Sequence, residues 1–202
     1  MEIMSLSLNL FLVILFYLIG SIPFALLIPK VFGQGDIRNI GSGNLGATNV
    51  LRTGNKFLAF LVLCLDVLKG LLPFILLNFY SENIGLLQTI FLCHFSILGH
   101  IFPIWLKFKG GKGIATYIGF LFGINLFLGL FFLIIWLGIT LVFKYSSLSS
   151  LTASTIAPIY FFIKADNYIA IFLVYLLAVI VIKHRKNIKR LLNRTENKIK
   201  II

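Results

Sequence analysis

The sequence predicts an all-α integral membrane protein, and three observations carry that prediction. Of the 202 residues, 59% are hydrophobic, and the mean hydropathy of +1.03 lies well above that of an average soluble domain. The apolar residues fall in runs long enough to cross a bilayer, separated by short polar stretches. Those stretches are basic: 18 Lys and Arg stand against 6 Asp and Glu, for a net charge of +12. In a chain this apolar, such a charge matches lipid head groups and phosphorylated substrates better than nucleic acid, which is not expected as a partner.

Residues 5–29 make the first span, with Ser21 and Pro23 near its far end and Pro29 and Lys30 closing it. Glu2 precedes it and no small-residue cleavage site follows, so a retained helix is expected, not a removed signal peptide. Residues 56–79 form the second span. Its Asp66 and Lys69 lie three apart on one helix face and read as a paired internal brace, because unpaired charge at membrane depth is costly. A turn at Ser81, Glu82 and Asn83 leads to the third span, 84–104, where His94 reads as a packed helix residue. The apolar run 114–143 is longer than the ~20 residues one span needs, and Gly123 and Asn125 offer a break. Segments 148–163 and 167–182 follow, parted by Lys164, Asp166 and Asn167. Cys64 and Cys93 lie in apolar runs without metal-ligand or CxxC spacing and read as reduced buried thiols.

The basic clusters set the topology. The tail 183–200 carries eight Lys or Arg, and basic loops stay in the cytoplasm. Placing 30–56, 107–112 and the tail on that side requires an even number of crossings after Lys112. Seven spans satisfy this if 114–143 splits, and five if one later segment does not cross; both put the N-terminus outside and the C-terminus in the cytoplasm. Seven spans leave Lys69 in the membrane and Lys164 outside, with all other basic residues cytoplasmic, so seven is the expectation and five the alternative. Residues 1–202 are then a single membrane domain with cytoplasmic motif regions 35–54, 106–113 and 183–200.

Chemistry is expected in those regions. The stretch 35–54, GDIRNIGSGNLGATNVLRTG, holds five glycines, the neutral hydrogen-bonding groups of Ser42, Asn44, Thr48 and Asn49, and the fixed charges of Arg38 and Arg52. A loop of that composition can wrap an anion with main-chain amides and clamp it with guanidinium, which suits phosphate. The cluster LKFKGGKG at 106–113 sets Lys107, Lys109 and Lys112 around Gly110 and Gly111, just before a helix whose N-terminal amides favour an anion. Gly41, Gly43 and Gly46 match G-x-G-x-x-G, but no strand precedes them, so dinucleotide binding fails on context; Leu106 stands where a Walker loop needs Gly. No metal-ligand or paired-carboxylate pattern is present, and neither a metal nor another cofactor is expected. A transporter of organic phosphates would place its cations near the midplane and often show internal repeats. Here only Asp66 and Lys69 are deep, and no repeat is visible.

Three blocks carry a resemblance: Ser21 to Gly54, Gly99 to Thr116 (GHIFPIWLKFKGGKGIAT) and His184 to Glu196 (HRKNIKRLLNRTE), with Asp66, Lys69 and Gly70 beside them. Through these the chain resembles the bacterial membrane acyltransferase family that moves a fatty acyl group from acyl phosphate to the 1-hydroxyl of glycerol 3-phosphate, giving lysophosphatidic acid for phospholipid synthesis. The resemblance implies that Ser42 and Arg52 are required and that the glycines around Lys109 and Lys112 (Gly110, Gly111, Gly113) bind glycerol 3-phosphate. It also implies active-site roles for His184 and Asn187, with Glu196 more structural. Lys112 joins the catalytic set; Asn44, Thr48, Asn49 and Lys109 join the substrate-binding set. It implies further a bacterial cytoplasmic (inner) membrane location with the site at the cytoplasmic face, contact with membrane lipids, and a soluble partner that makes the acyl phosphate. Lys107 and Arg194 depart from the family pattern, each standing where Gly is expected. Thioester-using acyltransferases resemble one another in an H-x-x-x-x-D pair; none of His94, His100 and His184 has Asp five residues on, so an acyl phosphate donor is expected in place of acyl-CoA.

Overall fold

The computed structural model describes residues 5–80 and 84–199. Glu2, the turn at Ser81, Glu82 and Asn83, and Lys200 lie outside the described residues. Every regular element among the described residues is helical, and the chain divides into two compact units, Met1–Ile124 and Asn125–Ile202.

The first unit holds α1 (Leu6–Ser21), α2 (Phe24–Val31), the short α3 (Ala47–Val50), α4 (Lys56–Tyr80), α5 (Leu86–Cys93), α6 (Phe95–Ile101) and α7 (Ile114–Ile124). Ser5 caps α1 by accepting from the Leu8 amide, and Asn55 caps α4 by accepting from Leu58. The first apolar run is two helices, not one. Pro23 has no amide hydrogen to continue α1, so α2 starts afresh with its axis bent 42° away. The carbonyl of Ile22, at that break, accepts from Lys69 Nζ at 2.8 Å. Lys69 Nζ also stands 2.8 Å from Asp66 Oδ1, with both side chains almost wholly buried. The expected brace is thus present, and it ties α4 to the α1–α2 joint.

Small residues set how closely these helices approach, because two backbones can touch only where no Cβ intervenes. A Cβ on Gly20 would lie 2.0 Å from the Ser96 carbonyl oxygen, and one on Gly99 2.2 Å from that of Tyr17, so α1 and α6 meet along their main chains. Gly70 against Thr116 (2.0 Å) and Gly119 against Val67 (1.9 Å) join α4 to α7 in the same way. The polar stretch 35–54 is anchored, not draped: Ile37, Leu45 and Val50 are buried with Ala25, Leu58, Ala59 and Val62 in one apolar cluster. Burying each such aliphatic side chain is worth about 1.5–3 kcal/mol, ample to hold a glycine-rich loop in place.

The second unit holds α8 (Leu126–Phe143), α9 (Ser146–Ala153), α10 (Ile156–Ile163), α11 (Asn167–Lys183) and α12 (Arg185–Leu192). The long apolar run breaks at Asn125, as its composition suggests. The Asn125 backbone is extended and its side chain caps α8 by accepting from the Phe127 amide at 2.8 Å. Serines on α9 satisfy themselves on carbonyls one turn back, Ser149 on Tyr145, Ser150 on Ser146 and Ser154 on Ser150. Thr140 and Trp136 of α8 donate to Ser149 and Ser150. Asp166 caps α11 by accepting from Ile169, and α12 leaves α11 at 64°.

Among the described residues four helical stretches are long and apolar enough to cross a membrane: 56–79, 86–106, 126–143 and 146–163. The bent pairs α1–α2 and α11–α12 raise the number to six, and α7 is a further apolar helix below span length.

Candidate functional site

In the first unit the loop 35–54 is organised by its own side chains. Asp36 caps a 3₁₀ turn, Ile37–Asn39, by accepting from the Arg38 amide at 2.9 Å. The Arg38 guanidinium folds back on the same carboxylate, with Nε 3.0 and 2.9 Å from its two oxygens. The hydrogen bonds from Arg38 hold the Asp36 carboxyl down at about 2 and push the Arg38 guanidinium up. Arg38, expected to lend fixed charge to an anion, therefore has its charge matched locally. Arg52 lies on the 3₁₀ turn Leu51–Thr53.

Asn49, expected to contact substrate, is buried instead and uses both ends of its amide inside the loop. Its Nδ2 donates to the Ile37 carbonyl at 2.9 Å, and its Oδ1 accepts from the Ser42 amide at 3.0 Å and the Ser42 hydroxyl at 3.3 Å. Ser42 itself is exposed. Between them Gly41, at φ 56°, passes under both partners: a Cβ there would meet Arg52 Cδ at 2.6 Å and Asn49 Oδ1 at 2.7 Å. Ser42, Asn49 and Arg52 thus surround one glycine where an added Cβ would force these side chains to shift. Asn44 and Thr48 lie in the same loop, half-buried.

The second loop follows α6 and a 3₁₀ turn, Ile104–Leu106. Lys107 and Phe108 adopt φ of 52° and 61° there, and Arg194 in the second unit 56°. Both places where the family resemblance leads one to expect Gly therefore hold the left-handed backbone that Gly favours, occupied here by long cationic side chains. The Gly110 and Gly111 amides donate to the carbonyls of Ile101 (3.2 Å) and His100 (3.1 Å). Two of the glycines expected to bind glycerol 3-phosphate thus use their amides to close the loop onto α6. Gly113 and the first turn of α7 follow, where the N–H groups have no intrahelical acceptor. The close approach that Gly110 and Gly111 permit is to protein. A Cβ on Gly110 would stand 2.1 Å from the His100 carbonyl oxygen. One on Gly111 would stand 2.2 Å from His100 Nε2 and 2.4 Å from the Leu45 carbonyl oxygen. Leu45 belongs to the first loop, so the two cationic loops meet at this point, with Lys109 exposed and Lys112 half-buried.

His100 is the residue that sequence reasoning passed over. It is buried, and its Nδ1 is 3.6 Å from Asp66 Oδ1. The signal available was its place in the Gly99–Pro103 segment beside the lysine cluster, which the second block of the resemblance already spans.

In the second unit His184 is buried at the α11–α12 joint, its Nδ1 2.8 Å from the Ile180 carbonyl. A carbonyl only accepts, so Nδ1 donates, and the lone pair of the neutral ring is on Nε2. Asn187, buried one turn on, donates from Nδ2 to Glu196 Oε1. Glu196 also accepts from Ser147 (2.7 Å) and from Arg190 Nε (2.6 Å). Burial raises the Glu196 carboxyl, but the hydrogen bonds from Asn187, Ser147 and Arg190 outweigh it and hold the group below its usual value. This agrees with a structural part for Glu196, and it adds Ser147 of α9 as a partner.

The sequence profile described as glycerol-3-phosphate acyltransferase matches residues 10–194. A relative of that name from Pelagibacter ubique (strain HTCC1062) is 52% identical over 186 residues, covering 92% of this chain and 94% of the relative. Another from Mesorhizobium japonicum is 48% identical over 183 residues, covering 91% and 92%. A crystal structure of PlsY, an integral membrane glycerol 3-phosphate acyltransferase in its glycerol 3-phosphate form, is similar at a TM-score of 0.84 and 40% identity, over 95% of both chains. The lysophosphatidic acid form of PlsY is similar at 0.81 and 39% identity, over 94% of both.

Proposed function

Because this chain belongs to the glycerol-3-phosphate acyltransferase family, a family of membrane acyltransferases, we propose that it acylates the 1-hydroxyl of glycerol 3-phosphate from acyl phosphate, giving lysophosphatidic acid. The observation that carries the acceptor is the meeting of two cationic, glycine-rich loops at Leu45 and Gly111 in the first unit. Arg52, Lys109 and Lys112 supply charge for phosphate there, Gly113 and the start of α7 supply amides, and Ser42, held by Asn49, supplies an oriented hydroxyl. Gly110 and Gly111 shape the loop, and Asn44 and Thr48 complete the polar lining.

The donor follows from chemistry. Acyl phosphate is a mixed anhydride, so the acceptor oxygen attacks the carbonyl carbon, the carbon–oxygen bond to phosphate breaks, and phosphate leaves with the electron pair. Such a leaving group needs little acid assistance, and most of the barrier is met by orientation and by fixed charge. The hydroxyl proton goes to a phosphate oxygen or, as the family resemblance implies, to His184, with Asn187 implied in orientation. The chain crosses the cytoplasmic membrane seven times with α7 as the short fourth span, the N-terminus outside and the motif regions at the cytoplasmic face, where a soluble enzyme delivers the acyl phosphate.

Purified protein supplied with glycerol 3-phosphate and either palmitoyl phosphate or palmitoyl-CoA tests the reading, with lysophosphatidic acid as the product followed. Turnover with the phosphate alone supports it. Comparable turnover with the thioester refutes the donor assignment.

A further inference from the structure

Deep beneath the two loops lies a cluster for which the proposed chemistry has no direct use. Asp66 is 1%, Lys69 3% and His100 8% exposed. Asp66 Oδ1 stands 2.8 Å from Lys69 Nζ and 3.6 Å from His100 Nδ1, yet neither carboxylate oxygen receives an aligned hydrogen bond. Lys69 directs its own bond to the Ile22 carbonyl and lies 5.5 Å above the Phe24 ring. These groups line a small, partly open pocket together with Ser21, Pro23 and Gly111. Retaining two opposite charges and an imidazole at this depth carries a desolvation cost that an apolar cluster of equal volume would avoid. The cluster is therefore informative beyond its contribution to stability.

His100 connects it to the site. The His100 carbonyl accepts from the Gly111 amide, and Nε2 of its ring lies 2.2 Å from where a Gly111 Cβ would be, while Nδ1 faces Asp66. The Leu45 carbonyl oxygen of the other loop lies 2.4 Å from the same Cβ position. The path Asp66, His100, Gly111, Leu45 thus runs from a buried charge in α4 to the point where both loops meet. We propose that Asp66 and His100 are positioning residues: the carboxylate fixes the imidazole, and the imidazole sets the seat of Gly111. This holds Lys109 and Lys112 at the spacing that glycerol 3-phosphate requires. The inference rests on the assignment of this loop to the acceptor made above. It differs from a purely structural brace in what it perturbs, since a displaced loop weakens acceptor binding before it impairs the chemical step.

The test uses full-length purified protein with the variants His100→Asn, His100→Gln, Asp66→Asn and Lys109→Ala. Equilibrium binding of radiolabelled glycerol 3-phosphate, its KM, kcat at saturation and Tm are measured for each. The expected result is a Kd and KM about tenfold or more above wild type for His100→Asn and Asp66→Asn, with kcat within about threefold. His100→Gln, whose longer amide reaches toward Asp66, should recover part of the affinity. Asp66→Asn combined with His100→Asn should be no worse than the weaker single variant, because both act through one contact. A loss of kcat with Kd unchanged, or wild-type binding in folded His100→Asn, overturns the proposal. If Asp66→Asn does not fold, the His100 pair decides alone. Unchanged Kd in Lys109→Ala removes the acceptor assignment itself and this inference with it. Raised Kd in Lys109→Ala together with wild-type binding in His100→Asn sinks the positioning inference only.

Discussion

Gly111→Ala is the most informative single substitution. The added Cβ would come within 2.2 Å of His100 Nε2 and 2.4 Å of the Leu45 carbonyl oxygen, and a main-chain oxygen cannot swing aside as the tip of a side chain can. Ordinary contact is near 3.4 Å, so the loop or its neighbours must move by about 1 Å, and overpacking of this kind costs about 1–3 kcal/mol. If the displacement falls on acceptor binding, at 1.4 kcal/mol per factor of ten, the KM for glycerol 3-phosphate rises about 5- to 150-fold. The KM for the acyl donor should change much less. The assay is initial-rate kinetics of purified protein with radiolabelled glycerol 3-phosphate at saturating donor. Gly138→Ala serves as the matched control, since a Cβ there meets nothing within 4 Å. A folded Gly111→Ala protein with an acceptor KM within about twofold of wild type would refute the claim that this glycine is required by its packing.

The Glu196 carboxyl is held below its unfolded value, near 4.5, so its network contributes stability above that pH and loses it as pH falls through the lower folded value. Glu196→Gln should therefore lower Tm at pH 7, with the gap to wild type closing as the pH falls below 4.5; a gap independent of pH contradicts the assignment. Lys107 holds a left-handed backbone at φ 52°, which costs an L residue about 1–2 kcal/mol. Lys107→Gly should raise Tm by about 2–8 °C and Lys107→Val should lower it, and equal melting of the two would show that no strain resides there. For topology, single cysteines replacing Lys186 and Lys164, with Cys64 and Cys93 first changed to Ala, should react from opposite sides of the membrane; reaction from one side rules out seven spans.

Much of this protein is legible in its sequence because the determinants are local. Span-length apolar runs, the Asn125 break and the three-residue spacing of Asp66 and Lys69 depend on neighbours within a turn or two, so composition and periodicity expose them. The chemistry of the loops is legible in the same way: glycines, amides and cations at that density indicate an anion. Which of those groups face the anion is a different matter, and there the tertiary structure decides. Asn49 and Asn44 are the same residue type in the same loop, yet Asn49 is turned inward onto Ile37 and Ser42 across spacings of 12 and 7 residues. Arg38 and Arg52 carry the same charge, but only Arg38 has Asp36 two residues away to match it. The Gly110 and Gly111 amides resemble a phosphate cradle until α6 supplies the carbonyls that take them. His100 is brought beside Asp66 only because α4 and α6 pack together, 34 residues apart between Asp66 and His100. Residue identity states which donors, acceptors and charges a loop contains; packing between distant segments determines which of them already have partners.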